Sequence, residues 1–218
     1  MDIFPNEQPE RRGRGRPQVR SDEETLQLIL QVAGERFRAD GYAGTSMSAV
    51  ALGAGVSTKT LYRLVPNKEE LFKQVVVDRV GRFILEAKDT DGGQEDLLGD
   101  LERLLIAYGH LILDPETLAV YRLVVSECGR FPELGQTFYQ DAVNRTAIYM
   151  AEWLEHRCQA GQIKLNDPRM AAGMLRGMMA QDPERSVLLC QASPPDAGQI
   201  AQRAKECARL FLEGCITR

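Results

Sequence analysis

The chain has 218 residues, of which 44% are apolar, so it can bury a substantial core in one or two domains. It carries a net charge of −4, and it has no apolar run long enough to cross a bilayer and no signal-peptide pattern. These features exclude a membrane protein and favour a cytoplasmic one. The five cysteines lack a C-x-x-C pair and only two histidines are present, so we expect free thiols, no metal site and no cofactor.

The charges are unevenly distributed along the chain. Residues 11–68 hold ten Lys and Arg against five Asp and Glu, whereas residues 69–218 hold seventeen against twenty-three. A basic N-terminal region followed by an acidic remainder is typical of a protein that presents one face to phosphates. The asymmetry therefore indicates a nucleic-acid partner, which the total charge alone would not.

Residues 1–20 are polar and show no periodicity, so we expect a disordered basic arm. Within this arm the segment Arg14-Gly15-Arg16-Pro17 resembles an AT-hook, whose arginines enter a narrow A·T-rich minor groove. We predict that Arg14 and Arg16 contact DNA. The alternative is a solubilising basic tail.

After the arm, the first two helices are predicted at residues 22–40 and 47–54. The first has Ile29, Ala33 and Phe37 on its apolar face and ends at Gly41, and the second follows caps at Thr45 or Ser46.

Gly55 then allows a sharp turn, and Ser57 can cap a third helix from Thr58 to about Val65. This pattern is that of a helix-turn-helix, although an ordinary helical hairpin would share it. On the outer side of the third helix, hydroxyls and cations are offered to a major groove by Thr58, Lys59, Thr60, Tyr62 and Arg63.

The remaining helices are predicted at about 67–88, 94–113, 115–128, 133–160, 167–180 and 197–215. No segment alternates with the period of a strand, so the fold class is all-α with about nine helices. We divide the chain into the arm (1–20), a three-helix DNA-binding domain (21–68) and a larger helical domain (69–218). The helix that starts at Asn67 would connect the two domains stiffly.

The N-terminal helices carry a family resemblance. The residues Ile29-Leu30, Ala33, Phe37, Gly41-Tyr42, Thr45-Ser46-Met47, Val50-Ala51, Ala54-Gly55-Val56-Ser57, Thr60-Leu61-Tyr62 and Asn67-Lys68-Glu69-Glu70-Leu71-Phe72 resemble the DNA-binding domain of TetR-family transcriptional regulators. The segment Arg63-Leu64-Val65-Pro66 departs from the family, which usually has an aromatic residue there. That departure affects the operator sequence and leaves the fold unchanged.

The resemblance implies a homodimer that binds a palindromic DNA operator and, most often, represses until a small molecule releases it. We expect phosphate contacts from Thr45, Ser46, Tyr62 and Lys68. No P-loop, dinucleotide-binding pattern or catalytic constellation is present, so we do not expect an enzyme. The alternative is an architectural DNA-binding protein without an effector.

Two features of the C-terminal half fit this expectation. The glycines and methionines of residues 169–180, with the apolar face of the last helix, would form a four-helix dimer interface, although a monomeric core could use them equally. Aromatic and polar residues of the middle helices would line a ligand cavity, although helix packing alone would explain each one singly. The predicted cavity residues are Tyr108, His110, Tyr121, Glu127, Phe138, Tyr149, Trp153, Met174 and Met178.

Overall fold

The computed structural model describes residues 20–89 and 96–215, and within these two stretches all regular structure is helical. The helices are α1 (Asp22–Gly44), α2 (Met47–Gly53), α3 (Thr58–Leu64), α4 (Lys68–Asp89), α5 (Leu97–Ile112), α6 (Pro115–Glu127), α7 (Pro132–Phe138), a π-helical segment (Tyr139–Asn144), α8 (Arg145–Gln159), α9 (Pro168–Leu188) and α10 (Ala197–Cys215). The π-helical segment joins α7 to α8 without a break. Because every element of the described residues is helical, the predicted all-α class is confirmed. None of the described helices could span a membrane.

Short polar side chains start the helices as the sequence predicts. The hydroxyl of Ser57 accepts a hydrogen bond from the amide of Thr60 at 3.0 Å at the start of α3, and Asn67 caps α4 through the amide of Glu70 at 2.7 Å. At the start of α2 the cap is Ser46, which accepts from Ala49 at 3.2 Å, and not Thr45. The turn between α2 and α3 contains Gly55 with a φ of 65°, which glycine adopts without strain.

Gly41 ends the regular part of α1 as predicted, because its φ of 72° is not helical, and a further helical turn continues to Gly44 across this kink. The predicted end of α9 is wrong. Helix α9 does not end near residue 180 but runs to Leu188 with Pro183 inside it. A proline leaves the carbonyl four residues earlier without its helical partner. Arg203 of α10 supplies the missing donor, because its Nε donates to the carbonyl of Met179 at 2.8 Å.

The first of two apolar cores lies under the helix-turn-helix, where Ala51 and Leu61 are fully buried. This core does not stop at the third helix. It includes Val75 and Val76 of α4, and it takes in apolar side chains of α6 and α7: Val120, Leu123, Val124 and Leu134. Helix α6 therefore packs against α1, and the N-terminal half shares its core with the middle helices.

The second core joins α4, α5, α8, α9 and α10, with Phe83 and Ala87 contributed by the distal half of α4. Helix α4 thus belongs to both cores, as its predicted role as a stiff connection requires. A buried ion pair also crosses the second core. The carboxylate of Asp100 is fully buried and accepts from Nη2 of Arg157 at 3.0 Å, while the guanidinium lies 4.8 Å from the Trp153 ring centroid.

Candidate DNA interface and ligand cavity

Helix α3 turns its polar residues outwards. Leu61 anchors the helix in the core, whereas Thr58, Lys59, Tyr62 and Arg63 are exposed. Thr60 is half-buried, and its hydroxyl lies 2.9 Å from that of Ser57. The exposed side can therefore offer a hydroxyl, an ammonium and a phenol to a DNA groove.

Arg63 already has a partner on the surface. Its two terminal nitrogens donate to the two carboxylate oxygens of Asp22 at 2.7 Å each, and this hydrogen bonding lowers the pKa of Asp22. Because water screens such an exposed pair, the guanidinium can exchange Asp22 for a phosphate or a base at little cost. Lys59 needs no such exchange, since no described carboxylate lies within ion-pair distance of it.

Two of the predicted phosphate ligands are occupied inside the protein. Thr45 is buried and its hydroxyl donates to the carbonyl of Gly41 at 2.7 Å. The Lys68 ammonium donates to the carbonyls of Tyr42 and Thr45 at 2.8 and 3.0 Å, and it lies 4.6 Å from the Tyr42 ring centroid. Both side chains hold the chain between α1 and α2, so the structure does not present them to DNA.

The bend at residues 41–45 is also held from the C-terminal half. The carboxylate of Glu127, at the end of α6, accepts from the amides of Tyr42 at 2.9 Å and Ala43 at 3.3 Å. Glycine is favoured at position 41 by its φ of 72°, and a Cβ atom there would lie 2.9 Å from Glu127 Oε1 and displace that carboxylate. Glu127 therefore binds the backbone amides of this bend while Lys68 binds its carbonyls, and together they hold the bend in place.

Tyr42 completes this junction with its ring. The ring lies 5.2 Å from that of Phe131, between α6 and α7, and 6.0 Å from that of Phe72 in α4. Burial, and next the nearby carboxylates of Glu133, Glu69 and Glu127, raise the pKa of Tyr42 to about 12. The phenol therefore remains neutral. The contacts of Tyr42 and its neighbours join α1, α4 and α6 at this junction.

A cavity of about 360 Å³ lies between α4, α5, α6, the π-helical segment and α9. Its walls are mostly apolar. The polar side chains that line it are Arg79, Tyr108, Thr117, Tyr121, Thr146, Arg176, Gln181 and Glu184, and the other lining residues are Val76, Val80, Leu111, Ile112, Val120, Phe138, Ala142, Val143, Gly173, Gly177 and Ala180. An apolar cavity with a few converging polar groups is the usual form of a small-molecule site.

The two arginines of the cavity differ in their partners. Nη1 of Arg79 donates to the carboxylate of Asp114 at 2.9 Å, and Nη2 pairs with Glu116. Nε of Arg176 donates to the Tyr108 hydroxyl at 3.2 Å, and the guanidinium carbon lies 5.7 Å from the Tyr108 ring centroid. Arg79 is thus neutralised by carboxylates, whereas Arg176 has a phenol as its hydrogen-bond partner.

Burial changes the titration of two further cavity residues. It raises the pKa of Tyr108, which Arg176 lowers to a smaller extent, and the hydroxyl stays protonated. It also raises the pKa of Glu184, again against the effect of Arg176. The cavity therefore contains a neutral hydroxyl and a carboxyl group whose charged form is disfavoured by burial.

Known families match both halves of this chain. The model of bacterial regulatory proteins of the tetR family matches residues 29–75, and the model of the AefR-like transcriptional repressor C-terminal domain matches residues 99–214. The second match alone covers more than half of the chain. The chain belongs to the TetR family of transcriptional regulators.

Individual relatives of this TetR-family regulator agree with the assignment. It is 27% identical to the HTH-type transcriptional regulator YhgD of Bacillus subtilis over 149 residues, and this alignment covers 66% of the present chain and 75% of YhgD. A TetR-family regulator from Mesorhizobium loti superposes with a TM-score of 0.77 and 25% identity over 91% of this chain and 100% of its own. The flavonoid-responsive regulator FrrA superposes with a TM-score of 0.69 and 26% identity over 90% and 99%.

In this TetR-family regulator the cavity collects three of the predicted ligand residues. Tyr108, Tyr121 and Phe138 line it, and the rings of Tyr121 and Phe138 stack with centroids 5.5 Å apart at an angle of 8°. Three middle helices thus contribute aromatic side chains to one site. Three of the five predicted Tyr, Phe and Trp residues therefore line this cavity, and their contact with a ligand stays a prediction.

Six predicted ligand residues lie outside the cavity lining, because their helical faces turn elsewhere. His110 is exposed with Nδ1 3.4 Å from Glu86, Met174 is 61% exposed, and Glu127 holds the 41–45 bend. The others pack in or against the second core, and they are Tyr149, Trp153 and Met178.

Arg14 and Arg16 lie outside the described residues. Ser46 is exposed, but its hydroxyl oxygen already accepts the capping hydrogen bond of α2.

Sequence reasoning missed the charged side chains of the cavity. Arg79, Arg176 and Glu184 look like solvated residues in the sequence, because a charge on a helix is usually exposed. One signal was available for α9: Arg176 stands three residues after Gly173 and four before Ala180, so these small residues share its helix face. Small neighbours on the same helix face leave space beside the arginine side chain, and such space is typical of a helix that lines a cavity.

Proposed function

We propose that this TetR-family regulator is a dimeric repressor that binds a palindromic operator and is released by a small molecule in the cavity. The observation that carries the proposal is the position of the cavity. It is bordered by α4 and α6, and both helices also contribute to the core of the DNA-binding half. A ligand that separates these helices would therefore move the DNA-binding half as well.

The connections at both ends of α6 support such a transmission. At its start, the cavity residue Arg79 binds Asp114 and Glu116, and Glu116 also lies 3.9 Å from Arg38 of α1. At its end, Glu127 holds the 41–45 bend directly before α2. A shift of α6 would thus change the position of the helix-turn-helix. Two half-sites are spaced by the turn of DNA, so displacing the α3 helices of a dimer spoils simultaneous binding.

Helices α9 and α10 are the proposed dimer interface. Met170 and Met174 on α9 and Leu210 on α10 are more than half exposed in the single chain, at 58%, 61% and 52%. Gly173, which also lines the edge of the cavity, lies beside them, and a Cβ there would meet nothing within 4 Å, so this part of α9 is open to a second copy. Covering these side chains in a second copy would remove apolar surface from water.

The relatives support the repressor and effector parts of the proposal. The C-terminal match is to the domain of an AefR-like transcriptional repressor, and FrrA is named for its response to flavonoids. We further propose that residues 21–68 act as the DNA-binding domain and residues 69–218 as the ligand-binding and dimerisation domain. Arg14 and Arg16 of the basic arm would add minor-groove contacts beside the operator.

Filling the cavity is expected to abolish release without weakening repression. A Cβ at Gly177 would meet only Gln181 Oε1 at 3.9 Å, so Gly177→Leu can occupy the cavity from α9. Gly81→Leu is the matched control, because it adds the same atoms to α4 in open space outside the cavity. The measurement is operator titration, with and without a compound selected because it stabilises the wild-type protein against heat.

We expect the compound to weaken operator binding of wild type and Gly81→Leu by about 5- to 150-fold, and that of Gly177→Leu not at all. Without the compound, all three proteins should bind the operator equally. A compound that binds the cavity tightly and leaves the operator affinity of wild type unchanged would contradict the proposed mechanism.

Operator recognition is expected to depend on the exposed side of α3. Lys59→Ala and Tyr62→Ala should each weaken binding by about 1–3 kcal/mol, the usual cost of a lost base or charged phosphate contact. The fold should survive because both side chains are exposed. Fluorescence anisotropy with operator DNA measures the effect, and Lys164→Ala, which removes an exposed charge between α8 and α9, is the control. Full sequence-specific affinity in the double variant would refute the assignment of α3.

A further inference from the structure

We propose that the effector of this cavity is a small aromatic acid whose carboxylate pairs with Arg176 while its ring system lies against the aromatic wall. The inference rests on the proposed function, since it names the chemistry of the ligand at the same site. The decisive observation is the hydrogen bonding of Arg176 in comparison with that of the other charged residues of the cavity.

Arg176 is a half-buried cation with donors to spare. A guanidinium has five N–H donors, and for Arg176 the described residues provide one acceptor, the Tyr108 hydroxyl at 3.2 Å from Nε. Within the same residues, no carboxylate lies within 4.0 Å of its nitrogens. The two terminal amino groups form a planar fork, which matches the two oxygens of a carboxylate.

The other charged residues of the cavity do not compete for that anion. The charge of Arg79 is compensated by its ion pairs with Asp114 and Glu116. Glu184 follows Arg176 by eight residues on α9, and the two side chains still influence each other, since Arg176 lowers the pKa of Glu184 against the larger, opposite effect of burial. Because burial disfavours the charged form of Glu184, and because Glu184 forms no ion pair with Arg176 among the described residues, the guanidinium remains available to the carboxylate of a ligand.

The body of the ligand follows from the walls and the volume. Tyr108, Tyr121 and Phe138 line the cavity together with Val76 and Val80, so a ring system would meet aromatic faces and edges on several sides. A volume of about 360 Å³ is near the lower end of the range of about 300–1,000 Å³ for small-molecule sites. A compact acid of one or two rings suits this space better than a long or branched compound.

Calorimetric titration of the full chain with three matched probes tests the inference. The probes are 2-naphthoate, its methyl ester, and 2-naphthylmethylammonium, which share one ring system and carry a negative, no and a positive charge. We expect wild type to bind 2-naphthoate about 10- to 100-fold more tightly than the ester, because only the acid forms charge-assisted hydrogen bonds. The ammonium compound should bind most weakly, since it would face the guanidinium.

Variants assign the preference to Arg176. Arg176→Gln should bind the acid and the ester with equal affinity, Arg176→Lys should retain part of the preference, and Glu184→Gln should keep it in full. Unchanged affinity of Arg176→Gln for the ester shows that the cavity is intact, and thermal unfolding checks the fold of each variant. Failure of 2-naphthoate to bind at millimolar concentration, or an undiminished preference in Arg176→Gln, would overturn the inference.

The result separates this inference from the proposed function. Preferred binding of the ammonium probe, lost in Glu184→Gln, would show that the cavity takes cations, and the proposed release mechanism would still stand. Preferred binding of 2-naphthoate through Arg176 with no change in operator affinity would support the ligand class and contradict the release mechanism.

Discussion

Replacing Asp100 by alanine is expected to lower the free energy of unfolding by about 3–5 kcal/mol, the usual effect of removing one partner from a buried ion pair. The carboxylate is fully buried and accepts hydrogen bonds from Arg157 at 3.0 Å and from Arg103. Without it, the guanidinium of Arg157, whose side chain is only 9% exposed, keeps its charge in the core with less compensation. Urea unfolding monitored by circular dichroism measures the loss.

A double variant separates the charge effect from a packing effect. Asp100→Leu combined with Arg157→Met removes both charges and keeps apolar volume, so its stability should lie close to that of wild type. Asp96→Ala is the control for a lost carboxylate on the same helix, because Asp96 is exposed and its role is to cap α5 through Gly99. Its cost should be about 1 kcal/mol. If Asp100→Ala unfolds at the same urea concentration as wild type, the pair is not a stabilising element.

Glu127→Ala is expected to uncouple the two halves of the protein. Its carboxylate accepts two backbone amides in the bend before α2, and hydrogen bonds to a charged group contribute about 1.5–3 kcal/mol. We expect weaker operator binding, because the helix-turn-helix loses a fixed orientation relative to α6. We also expect a smaller effect of the inducing compound on the operator affinity that remains. Operator titration with and without the compound gives both quantities.

Glu133→Ala is the matched control for Glu127→Ala. Glu133 lies at the start of α7 and is a main electrostatic influence on Tyr42, but it does not accept the amides of the bend. The Glu133→Ala variant removes a negative charge from the same junction and should leave operator binding and release by the compound nearly intact. Equal behaviour of the two variants would mean that the charge near Tyr42 matters and the two amide hydrogen bonds do not.

The DNA-binding half was largely predictable because its determinants are local. Ser57 caps α3, Gly55 turns the chain and Leu61 points inwards, and each of these follows from residues within one helical turn. The charges of the same half were less predictable. Lys68 and Thr45 look like phosphate ligands in the sequence, yet both bond to carbonyls of the 41–45 bend, whose shape depends on packing against α4 and α6.

The sequence by itself determined the helices, their order and the exposed side of α3, because caps, glycines and apolar spacing act over a few residues. Only the tertiary structure decided which side chains share the cavity, since Arg79, Tyr108 and Arg176 are brought together from α4, α5 and α9. It also decided where α9 ends. Pro183 is a stop signal in isolation, and the donor that Arg203 supplies from α10 to the carbonyl of Met179 allows the helix to continue. Local propensity cannot report this partner, because Arg203 lies 24 residues from Met179 in the chain and meets it only after the helices pack.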